Sequence, residues 1–167
     1  AQLEVTTADG QLHVLATDFP RGMFAARPGP LMSAAAGLFV RVVGAGGHGS
    51  APHDAADPIP AACEMVIALQ TMVTRKFDVF DPVVITVGSF HAGTTDNVIP
   101  DQARFLATAR SYSAESRTAL ADLVPRLVRD IADAHGLTAD AEYAAEYPVT
   151  VNDATEAAFA GQVITDV

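Results

Sequence analysis

The residue pattern predicts an α+β fold of the ferredoxin-like kind: elements in the order βαββαβ, a four-stranded antiparallel sheet, and two helices on one face of it. Three observations carry this. Four stretches between Leu38 and Tyr147 are β-branched or alternate in polarity, as strands do. Two stretches between them repeat apolar residues at helical spacing. Gly, Pro, Asp and Ser stand at the junctions, where turns and caps require them.

Taken in order, residues 1–37 are dense in turn signals, among them Asp9-Gly10, Arg27-Pro28-Gly29-Pro30 and the small-residue run Ser33–Gly37. They read as a connector with one short strand around Leu12–Leu15. Leu38–Val43 reads as the first strand, and Gly44–Asp57 as a Gly/Pro/His-rich loop. Asp57-Pro58 opens a helix, acid at the cap and proline in the first turn, whose apolar positions are Ala62, Met65, Val66, Leu69, Met72 and Val73. Val83–Phe90 is a strand, His91–Asp96 a turn, and Asn97–Arg110 a strand broken near Pro100. Ser113 caps a second helix with Glu115 at its positive end; Leu120, Leu123, Val124, Leu127 and Ile131 line one face, and Gly136 ends it. Pro125 falls inside this helix, where it removes a backbone donor. Thr138–Tyr147 alternates and reads as a last strand with one solvated face. Past Pro148 a further helix begins near Asn152. The division expected is residues 1–37 connector, 38–148 the folded sheet-and-helix domain, and 149–167 the start of a return to something else. An open four-stranded sheet leaves two edges and one face bare.

Composition narrows the function. The chain has 167 residues, half of them hydrophobic, enough for one domain with a core. Its net charge of −10 argues against a nucleic-acid partner, because phosphate binding needs a basic face. No apolar run reaches the roughly 18 residues of a membrane span, and no signal peptide is visible, so no membrane partner is expected. A single cysteine, Cys63, fits a reducing, cytoplasmic setting, and its apolar neighbours make it a packing residue.

Three clusters have the residue types of chemistry. In Gly44–His53 (GAGGHGSAPH), glycines flank a histidine and let the backbone approach a ligand closely. His48 and His53 are metal-capable, yet without acids at matching spacing except Asp54 and Asp57; the plain alternative is a flexible polar loop. In His91–Pro100 (HAGTTDNVIP), hydrogen-bonding side chains crowd between two apolar strands, as a polar-substrate site or an ordinary hairpin tip would have them. Arg110 ends the next strand, where it either forks onto a carboxylate or simply faces solvent. Nothing resembles a Ser-His-Asp triad or a pair of catalytic carboxylates.

Together the segments GGHGSAPH, DPIPAA opening a helix, ITVGSFHAGTTDNVIP and a strand ending in Arg resemble the lid, or dimerisation, domain of the family-twenty metallopeptidases. That family includes aminoacylase, hippurate hydrolase, carboxypeptidase G and succinyl-diaminopimelate desuccinylase; the likeness is nearest to the hippurate-hydrolase and aminoacylase branch. It runs from about Leu12 to Asp153. The resemblance implies a lid that interrupts a catalytic domain holding two divalent metal ions, usually zinc, and that pairs with a twin lid in a homodimer. It implies His48 as a trans-acting histidine that stabilises the oxyanion, Asn97 and Arg110 as contacts to the substrate's carboxylate or acyl end, and Gly93-Thr94 beside the substrate. Leu12-His13-Val14 is similar to the segment that precedes the lid, so His13 would be the one metal ligand here. The family's remaining ligands and its Glu-Glu pair are not in these 167 residues. The implied activity, hydrolysis of N-acyl amino acids or peptides, therefore belongs to a parent enzyme; the chain alone is expected to be inactive and to bind no metal tightly. Two other readings share the fold: a stand-alone amino-acid-binding module, and a purely structural dimerisation module.

Overall fold

The computed structural model describes residues 2–7, 10–15 and 27–165; for the first two segments and Thr165 it describes the backbone alone. The chain divides into two compact units, one of Ala34–Tyr147 and one of the residues up to Ser33 together with those from Pro148.

In the unit of the two chain ends, β1 (Gln2–Thr7) pairs antiparallel with β2 (Gly10–Leu15), which contains His13 opposite Glu4. The His13 side chain lies outside the described residues. β3 (Gly29–Met32) pairs antiparallel with a late strand, Thr150–Asn152, described here as β10 in chain order. Asp153 then caps a terminal helix, Ala154–Thr165, by accepting the Thr155 and Glu156 N–H groups at 2.8 and 3.1 Å.

The central unit begins with β4 (Ala34–Val43), followed by the two-residue strand β5 (Gly47–His48) and α1 (Pro58–Lys76). Then come β6 (Val84–Ala92), the short β7 (Val98–Ile99), β8 (Gln102–Ser111), α2 (Ala114–Ala134) and β9 (Thr138–Tyr147). Four strands form one antiparallel sheet in the order β6-β8-β4-β9, the ferredoxin-like arrangement expected. Alternation does the sorting: Leu38, Val40 and Val42 of β4 and Ala103, Phe105 and Ala109 of β8 are buried, while Phe39, Arg41, Arg104, Leu106 and Arg110 are exposed. The buried face meets Ala62, Met65 and Leu69 of α1 and Leu120, Val124 and Val128 of α2 in one core. The opposite face carries no helix of this unit.

The helix ends behave as their chemistry dictates. Asp57 accepts the Ile59 N–H at 2.9 Å, with Pro58 in the first turn of α1. Ser113 accepts the Ser116 N–H at 3.0 Å at the start of α2. At its far end, Gly136 turns left-handed (φ +68°); its N–H donates to the Asp133 carbonyl and that of Leu137 to the Ala132 carbonyl, a Schellman closure. His135 joins the helices through a 2.7 Å contact to the Glu64 carboxylate.

Three expectations need correction. The small-residue run Ala34–Gly37 is not a loop but the first half of β4, because this strand is central: β8 and β9 pair with it from either side and Ala34, Ala35 and Ala36 are buried. Cys63 does not pack; it is exposed, since the buried stripe of α1 runs through Ala61, Ala62, Met65, Leu69 and Met72 and position 63 turns away from it. The Asn97–Arg110 segment is two strands with different partners: β7 pairs with β5, and only β8 pairs with β6.

Candidate functional site

His48 is placed by a clasp between two loops. The clasp forms beyond the end of the sheet at which β4 finishes and β8 begins. The Gly44 N–H donates to the Asp101 carbonyl (2.9 Å) and the Gly46 N–H to the Asp101 carboxylate (2.8 Å). β5 then pairs with β7, setting His48 opposite Val98, and the Gly49 N–H donates to the Asn97 carbonyl at 2.9 Å. Glycines make these approaches possible: a Cβ on Gly46 would lie 2.7 Å from the Ile99 carbonyl oxygen across the clasp, and one on Gly44 would lie 2.1 Å from the Ala56 carbonyl oxygen within its own loop. His48 and Asn97, far apart in sequence, thus share one small platform.

The histidine is also oriented. Its Nδ1 receives the Ser50 backbone N–H at 3.2 Å and the Ser50 hydroxyl at 2.8 Å. A backbone N–H can only donate, so Nδ1 is the acceptor and the ring proton resides on Nε2. The exposed imidazole therefore offers an Nε2–H donor outward. This is the group needed to meet a developing oxyanion. Ser50 sits inside the first quoted motif and Asp101 directly follows the second, but their roles come from three-dimensional contacts that the motifs do not spell out.

The hairpin tip carries the other polar groups. Gly93 turns left-handed (φ +67°), Thr94, Asp96 and Asn97 are exposed, and the Thr95 hydroxyl lies 3.3 Å from both the Asp96 and Asn97 side-chain oxygens. Gly93, Thr94 and Asn97 thus lie at the same end of the sheet as His48.

Arg110 does not. It pairs with Ala35 and Val84 near the far end of β8 and is exposed on the helix-free face. The eight residue steps from Gln102 to Arg110 span about 27 Å of extended strand. The sequence-level grouping of His48, Asn97 and Arg110 thus separates, in one molecule, into two stations at opposite ends of β8. Among the described residues no three His, Cys, Asp or Glu side chains gather as metal ligands. None of the described helices is long and apolar enough to cross a membrane.

Comparison with known proteins follows the same outline. The family model described as the peptidase dimerisation domain matches residues 33–135. Thermostable carboxypeptidase 2 of Saccharolobus solfataricus is 36% identical over 140 residues, 83% of this chain and 36% of that protein. N-acetyldiaminopimelate deacetylase of a Geobacillus species is 36% identical over 142 residues, 85% of this chain and 38% of that enzyme. The crystal structure of the Bacillus subtilis YXEP protein, a dinuclear metal binding peptidase from the M20 family, superposes with a TM-score of 0.68 at 28% identity, covering 89% of this chain and 36% of that one. The chain thus spans little more than a third of the length of these relatives.

Proposed function

Because the chain belongs to the peptidase dimerisation-domain family, we propose that it works as the lid of a metal-dependent amidohydrolase acting on N-acyl amino acids or peptides, and that it completes active sites across a homodimer. In this reading two divalent metal ions, zinc by preference, belong to the catalytic domain, where they would supply the Lewis-acid chemistry for hydrolysis. The lid supplies donors and cations: His48 hydrogen-bonds the oxyanion, Asn97, Gly93 and Thr94 line the substrate, and Arg110 forks onto its carboxylate. A reducing, cytoplasmic setting suits the single exposed cysteine.

The observation that carries the reading is the separation along β8. One N-acyl amino acid cannot touch both His48 and Arg110 of the same lid when about 27 Å of strand divides them. It can touch both if the two come from different copies. Each lid then serves two active sites, one with each end, which gives a physical reason for a dimer.

Self-association is proposed through α1 and the free edge of β6. These lie side by side, since β6 is an outer strand of the sheet and α1 packs over β6 and β8. Ile67 stands 68% exposed on α1, an apolar group suited to burial in such a contact. The test is kinetic and hydrodynamic. His48→Ala in the complete enzyme is expected to lower kcat by about a hundred- to a thousandfold with metal content unchanged. Sedimentation of the present chain is expected to show a dimer that Ile67→Asp weakens. A near-normal rate for His48→Ala, or a monomer at high micromolar concentration, would contradict the proposal.

A further inference from the structure

We propose that Arg104, flanked by Arg41 and His91 on the helix-free face of the sheet, binds a carboxylate carried by the acyl group of the substrate; this rests on the reading of His48 and Asn97 as groups that meet substrate. Cross-strand register sets His91, Arg104, Arg41 and Asp140 in a single row over β6, β8, β4 and β9. All four are exposed. Asp140 is taken by Arg41, its Oδ2 lying 3.2 Å from Nε and 2.7 Å from Nη2. Among the described residues Arg104 forms no ion pair.

Two features set this row apart from ordinary surface charge. Arg41 and Arg104 stand directly opposite each other, an arrangement that costs a sheet stability. The chain has twenty acidic against ten basic side chains, so acids are plentiful, yet none faces Arg104 from β4 or β6. Asp101, three residues away, is committed to the Gly46 N–H. In the next row of the same face, Leu106 and Phe39 pair across the strands, 44% and 49% exposed. A guanidinium without an anion, beside an apolar strip, suits a short aliphatic chain that ends in a carboxylate.

Position ties the row to the proposed site. Arg104 lies two residues from Gln102, at the end of the sheet that holds the His48–Asn97 platform. Arg110, on the same face of the same strand, is about 20 Å away and serves the other site. Each composite site then receives Arg110 from one copy for the carboxylate of the amino acid and Arg104 from the other for an anion on the acyl side. The substrate class that follows is a dicarboxylic monoacyl derivative of an amino acid.

The experiment compares the N-acetyl and N-succinyl derivatives of one amino acid in the complete enzyme. Arg104→Ala is expected to lower the succinyl-to-acetyl ratio of kcat/KM by about ten- to a hundredfold, chiefly through KM for the succinyl substrate. Arg104→Lys restores part of the ratio and Arg104→Glu lowers it further. Inhibition by free succinate, with acetate as the control, weakens in parallel. A ratio left unchanged by both Arg104→Ala and Arg104→Glu, or a wild-type enzyme that rejects the succinyl substrate, overturns the proposal. His48→Ala lowers both substrates alike; if it does not, the reading of the lid itself fails, whatever Arg104 does.

Discussion

Consider mixing two crippled lids, His48→Ala and Arg110→Ala, each in the complete enzyme. About 27 Å of strand separates the His48 end of β8 from Arg110, so under the proposed reading a single substrate would meet one from each copy. Separately, the first variant loses about a hundred- to a thousandfold in rate with its oxyanion donor, and the second about ten- to a hundredfold with its charged hydrogen bonds. In a mixed dimer one site combines the intact Arg110 of one chain with the intact His48 of the other, and the second site lacks both. Random exchange makes half of the dimers mixed, so an equal mixture is expected to recover about a quarter of wild-type activity. The control puts both substitutions on one chain and mixes it with wild type: every mixed dimer then has two damaged sites, and about a quarter of the activity remains, against about a half if each chain built its own site. The assay is initial-rate hydrolysis of an N-acyl amino acid after subunit exchange, verified by co-purification of differently tagged chains. No gain on mixing the single variants, with a control near a half, would refute the two-copy site and the argument from strand length with it.

Three further outcomes concern the fold itself. Ser113 and Ser116 donate hydroxyl hydrogen bonds of 2.6 Å to the Asp81 carboxylate and hold its pKa below the ordinary value; with partial solvent exposure discounted, Asp81→Ala should cost about 1–2 kcal/mol. Because the folded pKa is depressed, that stability is present above the unfolded pKa and disappears as pH falls through the folded one, so urea midpoints of wild type and variant should converge in strong acid and differ at neutral pH. Gly44→Ala forces a Cβ to 2.1 Å from a backbone oxygen, whereas Gly88→Ala meets nothing within 4 Å; melting curves should show a loss of about 2–3 kcal/mol for the first and little change for the second. Pro125→Ala restores a backbone donor inside α2 and should stabilise the chain by about 1–3 kcal/mol, and a lower urea midpoint would show that the ring has a packing role.

Periodicity made the helices and the outline of the sheet legible. Both caps, Asp57 and Ser113, and the stop at Gly136 follow from side-chain chemistry within a few residues of each helix end. Properties set by distant partners were not legible. Ala34–Gly37 has the composition of a loop and becomes strand because β8 and β9 hold it from both sides. β6 carries a bulge at Gly88 that keeps Val87 opposite Ala107 and Phe90 opposite Phe105; plain alternation would have turned Phe90 to the other face. Among the candidate residues, the motifs grouped His48, Asn97 and Arg110 as one set, because spacing along a chain does not say at which end of a strand a residue falls. Register supplied that, and it also revealed the Arg41–Arg104 pairing, which joins two strand positions that belong to none of the motifs.

β8 runs unbroken through ten residues, and its length is therefore a ruler. If its two ends serve two reaction centres, the distance between those centres is written in residue steps. One inserted residue would reverse the faces of everything beyond it and turn either Arg104 or Arg110 into the core. Two would keep the faces but push the stations about 7 Å apart, farther than any side chain could follow. Loops such as Phe77–Pro82 are free of this constraint and can grow or shrink. Lids descended from a common ancestor should therefore vary in their loops while keeping this strand at constant length, and the enzymes above them should hold their paired centres at one spacing.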